Sequence, residues 1–126
     1  FLMMALIKIT SKLDINISLN IKKNIKDPSP EYDLHNNYHG TMLAGIIAGV
    51  ANNNFCGVGI AHQSIIGGIK LLTNSLTKDW EEAMALAHHH YTVSIYNAAW
   101  GPQDDGRSIG GPGLLATEAL AYGVNQ

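Results

Sequence analysis

The run GTMLAGIIAGVA at residues 40–51 restricts the fold more than any other feature, because it is small or apolar at every angle around a helix. A surface helix keeps a polar face, so a run without one predicts a helix that is buried on all sides. Ala44, Gly45, Ala48 and Gly49 would let neighbouring backbone approach closely, at a cost in helix propensity. The 126 residues, 46% hydrophobic and 14% charged, suffice for one globular domain with a core around such a helix.

Two apolar stretches after this run predict buried strands. SIIGGIKLL at residues 64–72 is rich in β-branched residues and lacks polar alternation, as expected of a strand in a parallel sheet. VSIYNAAW at residues 93–100 has the same character. The carboxyl ends of these two strands, Leu72 and Trp100, would then lie at the edge of the sheet where ligands bind.

Helices are predicted between and after these strands. Thr77 can cap a helix that runs to about residue 90, and the acids in its first turns suit the helix dipole. Pro112 opens a last helix, which Gly123 ends. The alternation of strands and helices predicts an α/β fold with a parallel sheet and right-handed crossovers.

The N-terminal third carries weaker signals. LDINISLNI at residues 13–21 alternates and fits a half-buried strand, whereas KDPSPEYD at residues 26–33 predicts a loop. The opening FLMMALI stops at Lys8, far short of the roughly 20 apolar residues of a membrane span. No basic segment precedes it, so no signal peptide or other targeting element is expected in these residues.

Acidic residues concentrate in the second half of the chain. Residues 79–126 contain six acids against Arg107 alone, although the net charge of the whole chain is only −2. An acidic surface argues against nucleic acid as a partner and raises the local concentration of cationic ligands. The alternative is a solvated helix face beside an acidic loop.

Three asparagines and the single cysteine follow the apolar run, in NNNFCGVG at residues 52–59. Asparagine tolerates left-handed backbone, so the plain interpretation of this segment is a helix C-cap. Cys56 cannot form an internal disulfide. It is either a small buried hydrophobe or half of a bridge whose partner lies elsewhere.

Three short motifs suggest chemistry but lack the surroundings that it needs. GRSIG at residues 106–110 neither follows a strand nor opens a helix as a nucleophile elbow must, so Ser108 is interpreted as a loop serine. GVGIAH at residues 57–62 places His62 where a dinucleotide fingerprint has glycine. His35, His39 and the tract at residues 88–90 have no soft ligands near them, which favours exposed histidines over a metal site for the tract.

His39 stands apart because it precedes the buried run. The first turn of a buried helix is held firmly, and an imidazole there could face a surface cleft and transfer protons near neutrality. A structural histidine with satisfied ring nitrogens is the alternative.

Four segments, in order, carry a clear resemblance to a known family: HGTMLAGIIAGVANNNFCGVGIA, IIGGIKLL, IYNAAWGPQDDGRSIGGP and LATEALAYGVNQ. They resemble the histidine segment, the next strand and the substrate-pocket segment of subtilisin-like serine proteases (subtilases), in the kexin/furin branch of proprotein convertases. The resemblance covers residues 28–126 and implies a partial peptidase domain with a three-layer subtilisin-like fold, incomplete in this chain. Residues 1–27 match poorly. The implied location is the secretory pathway, in the Golgi or outside the cell.

Position by position, the resemblance implies a catalytic base, a metal site and a disulfide. His39 would take the proton from a serine nucleophile and return it to the leaving amine. Cys56 would be a half-cystine whose partner lies outside this sequence. A structural Ca²⁺, which prefers hard oxygen ligands, would be held by the carbonyls of Val50, Phe55 and Gly57 and the side-chain oxygen of Asn53.

The resemblance further implies a groove for polypeptides with basic, especially dibasic, motifs. Asp104 would accept charge-assisted hydrogen bonds from a substrate arginine and contact a second Ca²⁺. Leu72 and Glu81 would line the subsite of a more distal basic side chain, with Asn37 near the subsite between. An inhibitory propeptide is a further implied partner. Backbone groups facing the peptide would come from Ala99, Trp100, Gly101 and Pro102.

Departures from the family pattern bear on activity. No aspartate precedes His39 at the family spacing and no G-T-S nucleophile segment occurs, so these 126 residues alone are expected to be inactive. Gly110 stands where the family has an aspartate that helps to read distal basic residues. Lys78 stands where an acid is usual.

Three functions remain open from the sequence. The first is part of a calcium-dependent serine endopeptidase that cleaves proproteins after basic residues. The second is a non-catalytic pseudoprotease that keeps the peptide groove. The third, an unrelated α/β module, would require four ordered motifs to coincide by chance.

Overall fold

A computed structural model describes residues 2–7, 13–30, 38–73, 76–102 and 104–125. No helix in these ranges is long and apolar enough to cross a membrane. Along the chain the elements are β1 (Leu2–Ile7), β2 (Leu19–Asn20), α1 (His39–Ala48), β3 (Ile65–Lys70), α2 (Asp79–Ala87), β4 (Ile95–Asn97) and α3 (Leu114–Val124).

The four strands form one mixed sheet in the order β2-β3-β1-β4. β2 is parallel to β3, whereas β1 lies antiparallel between β3 and β4. Since both neighbours oppose β1, β3 and β4 run in the same direction, as the sequence predicts. The sheet is nevertheless not purely parallel, because β1 is antiparallel to both of its neighbours.

The two faces of the sheet carry separate clusters of buried side chains. Ile66 packs with Ala48 of α1 on one face. Ile69 and Leu71, both with no exposed surface, pack with Ala85 of α2 on the other. Residues at even and odd positions of a strand point to opposite faces, so α1 and α2 lie on opposite sides of the sheet. With α3 packed on α2, the chain has the layered α/β arrangement predicted from its sequence.

A side chain of α2 caps the amino terminus of α3. The Asp79 carboxylate accepts the backbone N–H groups of Leu115 at 2.9 Å and of Ala116 at 3.0 Å. These groups lack intrahelical partners in the first turn of a helix. A Cβ atom at position 113 would overlap the Asp79 carboxylate, so the cap requires Gly113.

Several helix ends differ from the sequence prediction. α1 ends at Ala48 instead of residue 51, and Lys78 instead of Thr77 is the N-cap of α2. α3 begins at Leu114 and includes Gly123, which therefore does not end it. Helix ends depend on local backbone contacts that residue type alone specifies only weakly.

The predicted burial of α1 on all sides is wrong for this structure. Gly40 and Ala48 are its buried residues, whereas the side chains of Met42 and Ile46 are 59% and 60% exposed. The sheet covers one face of the helix through β1 and β3. Because no described element packs on the opposite face, the apolar side chains there contact solvent.

The alternating segment 13–21 forms only the short strand β2. Ile17, Ser18 and Ile21 are nonetheless buried. The Ser18 hydroxyl accepts the backbone N–H of Gly68 at 3.1 Å and donates to the carbonyl of Asp14 at 2.7 Å. This segment therefore lies against β3 mainly through side-chain and bridge contacts.

Candidate functional site

The carboxyl ends of β3 and β4 bring several predicted site residues to one edge of the sheet. Leu72 follows β3 by two residues, and Ala99 and Trp100 follow β4 by two and three residues. Leu72 and Trp100 are half-buried and pack on the same apolar cluster as Ile69. This placement agrees with the edge at which strands of common direction present ligand sites.

Trp100 is held in place by a hydrogen bond as well as by packing. Its indole Nε1–H donates to Glu82 Oε1 on α2 at 3.3 Å. A buried tryptophan ordinarily finds such a partner for its single donor. The loop that begins at Trp100 is thus fixed to α2, and the Glu82 carboxylate accepts a hydrogen bond within the fold.

The loop after Trp100 presents Asp104 to solvent. Its neighbour Asp105 accepts the backbone N–H groups of Ser108 at 2.7 Å and Arg107 at 2.9 Å, and the Ser108 hydroxyl at 3.0 Å. These hydrogen bonds, led by the Ser108 backbone, lower the pKa of Asp105. Within the described ranges, no hydrogen bond or ion pair involves the Asp104 carboxylate. An exposed, unengaged carboxylate of this kind can accept hydrogen bonds from a guanidinium.

Two further residues of this loop have plain structural explanations. Ser108 lies in the turn held by Asp105, away from any strand-to-helix junction, in agreement with its interpretation as a loop serine. A Cβ at Gly110 would lie 2.7 Å from the Cβ of Pro102. The absence of a side chain at Gly110 therefore allows this loop to close against Pro102.

Glu81 is buried and already holds a cation. It is 4% exposed, and its Oε2 accepts Lys22 Nζ at 2.6 Å and the backbone N–H of Lys78 at 2.8 Å. The hydrogen bond from Lys22 is the largest cause of a lowered pKa for Glu81, which burial opposes. Sequence reasoning missed Lys22, because no spacing rule joins residues 59 positions apart.

His39 is the first residue of α1, on the opposite face of the sheet from α2. The ring is half-buried, and its Nδ1 atom has no exposed surface. Asn37, the predicted site residue two positions earlier, lies outside the described residues. His39 and the loop that begins at Trp100 thus come from opposite faces of the sheet, and their meeting at one groove stays a prediction.

A shallow cleft borders α1 on its sheet side. It encloses about 380 Å³, and its lining includes Thr41 in the first turn of α1, Ser29, and Ile66 of β3. The carbonyl of Ser29 accepts Lys70 Nζ at 3.1 Å. Thr41 therefore shares this cleft with a segment that is bound to the carboxyl end of β3, where the other site residues lie.

The asparagine-rich turn after α1 is exposed and contains left-handed backbone. Asn52, Asn54 and Cys56 have φ angles of 58°, 56° and 53°. Asparagine tolerates this conformation better than most residues, which explains its repeated use. The C-cap is Gly49, so the asparagines do not cap the helix as the plain interpretation proposes.

Oxygen atoms predicted to bind calcium lie in this turn. Asn53 Oδ1 accepts the backbone N–H of Phe55 at 3.0 Å, which leaves one lone pair of that oxygen available. The donors are uncharged hard oxygens, a type that Ca²⁺ binds. The described residues contain no group of three or more His, Cys, Asp or Glu side chains that could hold a metal. The four predicted calcium-binding residues, Val50, Asn53, Phe55 and Gly57, are all exposed.

The histidine tract is less exposed than the sequence predicts. His88 and His90 are half-buried, and only His89 is exposed, with a φ of 54°. The His90 ring lies near the Tyr122 hydroxyl of α3, with Nε2 at 3.4 Å. Tyr91 contacts the same hydroxyl at 3.2 Å. The tract therefore joins the end of α2 to α3.

Comparison with known proteins identifies the family. The sequence profile of the subtilase family matches residues 7–125. The chain belongs to the subtilase family. This assignment confirms the resemblance drawn from the four ordered motifs, and it excludes the unrelated α/β module.

The chain is similar to proprotein convertases and furins. The chain is 48% identical over 101 residues to proprotein convertase subtilisin/kexin type 6 of Rattus norvegicus, covering 79% of this chain and 11% of that protein. It is also 48% identical to furin-1 of Xenopus laevis and 46% identical to furin of Homo sapiens, in each case covering 79% of this chain and 13% of the relative. The chain thus spans little more than a tenth of the length of these subtilases.

Proposed function

We propose that this chain is the part of a calcium-dependent serine endopeptidase that carries the catalytic histidine, His39, and the substrate-binding loop after Trp100. The enzyme would cleave polypeptides after basic residues. The observation that carries the proposal is the exposed carboxylate of Asp104, on a loop that Asp105 fixes and that follows Trp100 at the carboxyl edge of the sheet. Family membership supports the reaction class.

His39 is the proposed general base. Its position at the start of α1 suits a group that must be held firmly while it transfers a proton. Proton transfer alone does not cleave a peptide bond, because the reaction also needs a nucleophile and an orienting carboxylate. We therefore expect binding without turnover from the 126 residues by themselves.

The groove is proposed to accept extended basic peptides. Backbone groups from Ala99 to Pro102 would contact the peptide chain, and Asp104 would hold an arginine side chain. Glu81 would receive a more distal basic side chain. Charge-assisted hydrogen bonds to a guanidinium are worth about 1.5–3 kcal/mol. Similarity to a protein named proprotein convertase supports polypeptides as the substrate class, and the location in the secretory pathway is part of the same proposal.

Calcium is proposed to stabilise the turn at residues 50–57. When bound there, the ion would supply positive charge that gathers the carbonyl oxygens of Val50, Phe55 and Gly57. The side-chain oxygen of Asn53 would join them. A contact between Asp104 and a second calcium ion is part of the same proposal.

Peptide binding tests the role of Asp104. A fluorescein-labelled peptide with one dibasic motif is titrated with the chain and with Asp104→Asn, and anisotropy gives Kd. The loss of one charge-assisted interaction predicts an affinity at least about 10-fold lower for Asp104→Asn. The matched control is Glu118→Gln, which removes another exposed carboxylate, on α3.

The outcomes of these measurements decide between the proposal and its alternatives. Equal affinities of the chain and Asp104→Asn, or an equal loss in Glu118→Gln, would contradict the proposed pocket. Mass spectrometry of the same mixtures shows whether the peptide is cut. Cleavage would overturn the expectation of inactivity. If longer forms of the protein also bind without cutting, the pseudoprotease alternative is supported.

Thermal unfolding tests the calcium site. Excess Ca²⁺ should raise Tm of the chain relative to excess chelator, because a ligand that binds only the folded state stabilises it. Asn53→Ala should reduce this increment, whereas Asn16→Ala, another exposed asparagine, should preserve it. A Tm that does not respond to Ca²⁺ would contradict the site.

A further inference from the structure

The buried pair of Lys22 and Glu81 occupies a place that the proposed function gives to a substrate. Glu81 lies in the first turn of α2, the helix that follows β3 in the chain, and is proposed to receive a distal basic side chain. Its Oε2 is 2.6 Å from Lys22 Nζ. The carboxylate therefore already has the kind of partner that a substrate would bring.

Lys22 reaches this carboxylate from a separate part of the chain. It lies in the turn after β2, and its ammonium group also donates to the carbonyl of Leu76 at 3.1 Å. Its side chain is 19% exposed, whereas that of Glu81 is 6% exposed. Solvent thus reaches the pair mainly from the lysine side, and a ligand approaching Glu81 from that side meets a positive charge first.

Two effects oppose the binding of a second cation at this site. Glu81 Oε2 already accepts two hydrogen bonds, from Lys22 and from the backbone of Lys78. A substrate arginine would have to displace Lys22 or lie beside it. Two adjacent positive charges repel strongly where water is partly excluded. An uncharged side chain meets neither obstacle.

We propose that Lys22 serves as a built-in substitute for the distal basic side chain of a substrate, so that this subsite discriminates against a basic residue. The inference rests on the proposed function, because it takes Glu81 to be part of the peptide groove. Lys22 is then a specificity determinant that acts by neutralising Glu81. The peptide preferred by this chain carries its basic residue at the Asp104 pocket and an uncharged residue at the Glu81 subsite.

A purely structural ion pair is the competing explanation. Both explanations predict that removal of Lys22 destabilises the fold, because a buried carboxylate is left without its counter-ion. Only the substitute role predicts that a peptide can supply the missing cation. Selectivity for peptides, and not stability alone, therefore separates the two.

Peptide pairs provide the test. Both peptides of a pair carry the arginine that is proposed to bind Asp104. They differ at one upstream position, which is arginine in one peptide and leucine in the other. Further pairs place this difference at each upstream position in turn. Anisotropy gives the ratio of the two Kd values for the chain, for Lys22→Met, which keeps the length of the hydrocarbon stem, and for Lys22→Arg, which keeps the charge. Lys26→Gln, which removes an exposed lysine from the same segment, is the control.

The chain, Lys22→Arg and Lys26→Gln should bind the leucine peptide as well as or better than the arginine peptide. Lys22→Met should instead prefer arginine at one upstream position by about 10-fold or more, as expected for one charge-assisted contact. The double variant Lys22→Met with Glu81→Gln should lose this preference, because the acceptor charge is gone.

A second readout covers the possibility that Lys22→Met does not fold. Circular dichroism of this variant is recorded with each peptide in excess, and the arginine peptide should restore the native signal or raise Tm more than the leucine peptide does. If the chain binds both peptides but Lys22→Met shows neither altered selectivity nor rescue, the inference is wrong and the groove stands. If neither the chain nor any variant binds a basic peptide, both the inference and the proposed function are wrong.

Discussion

The two helices that flank the sheet are stabilised in different ways. α2 carries three acids in its first turn, and each has a partner in a different part of the chain: Asp79 caps α3, Glu81 binds Lys22, and Glu82 accepts a hydrogen bond from the Trp100 indole. α1 has no acid in its first turn and no side-chain cap. Its side chains pack on the sheet through an apolar cluster, and the carbonyls of Ile46 and Ile47 accept the backbone N–H groups of Ile60 and Ala61.

This contrast shows that helices of similar length can depend on different interactions. α2 is tied to α3 by the Asp79 cap and to the sheet by the buried cluster that includes Ile69, Leu71 and Ala85. α1 is tied to the sheet by a smaller cluster around Ile66 and Ala48. The acidic bias of the second half suggests, from the sequence, that this half attracts cations. In the structure, most of these carboxylates instead accept hydrogen bonds within the fold.

The largest expected effect lies in the cluster beneath α2. Leu71→Ala removes a side chain with no exposed surface and leaves a cavity, which should lower the free energy of unfolding by about 2–5 kcal/mol. Ile46→Ala on the exposed face of α1 should cost under about 1 kcal/mol, since its side chain is already 60% exposed. Urea unfolding followed by circular dichroism measures both. Equal losses would remove the contrast between the two helices.

The cap on α3 should have the next largest effect. Asp79→Ala leaves the N–H groups of Leu115 and Ala116 without acceptors and should cost about 1–2 kcal/mol. Gly113→Ala should act similarly by displacing the Asp79 carboxylate. Amide hydrogen exchange at residues 115 and 116 should accelerate in both variants. Unchanged exchange in both would show that this cap does not hold the two helices together, and Glu118→Ala is the control.

Burial of His88 should make the stability of the chain depend on pH. Burial, followed by the charge of His89, lowers the pKa of His88 below its ordinary value of 6.5. Between the folded and the unfolded pKa values the unfolded chain binds more protons, so stability is full above 6.5 and falls as the pH drops toward the folded pKa. Because His88 is only half-buried, the slope should be well below one proton.

Urea midpoints recorded from about pH 7.5 down to about pH 5 test this dependence, since that interval brackets the ordinary histidine pKa. His88→Gln should flatten the profile, because glutamine has no titrating group. A profile that keeps the same slope in the variant would assign the pH dependence to another group.

The smallest effect on stability is expected on the outer face of α1. Ile46→Gln exchanges one exposed side chain for another and should change the free energy of unfolding by at most about 0.5 kcal/mol. The same change should reduce self-association, because exposed apolar patches promote contacts between molecules. Sedimentation velocity measures this effect. An unchanged association state would show that the outer face of α1 is not a contact surface.

The sequence predicts the order of the elements and the common direction of β3 and β4, because period and composition are local properties. The placement of Leu72 and Trp100 at one edge follows from that direction. The sequence does not predict that β1 lies antiparallel between the two strands, since FLMMALI contains no signal of its neighbours. The loop role of Ser108 is confirmed because the motif rule includes its structural surroundings.

Contacts between distant residues explain most of the remaining differences. The acids of α2 are predicted to favour its own dipole, whereas Asp79 caps another helix and Glu81 binds a lysine 59 positions away. The exposed face of α1 could not be foreseen either, because an apolar run predicts burial but not the element that would cover it. The roles of His39, Asp104 and the calcium-binding oxygens stay predictions.

The cap formed by Asp79 and Gly113 has a consequence for sequence change. Neither position can vary alone: a side chain at 113 evicts the carboxylate, and a shorter side chain at 79 leaves the space beside Gly113 unfilled. Tolerated replacements should therefore occur in pairs, with a new capping side chain on α3 itself whenever Asp79 is absent. A library that randomises both positions together would recover such pairs, and related chains should inherit the two residues as a unit.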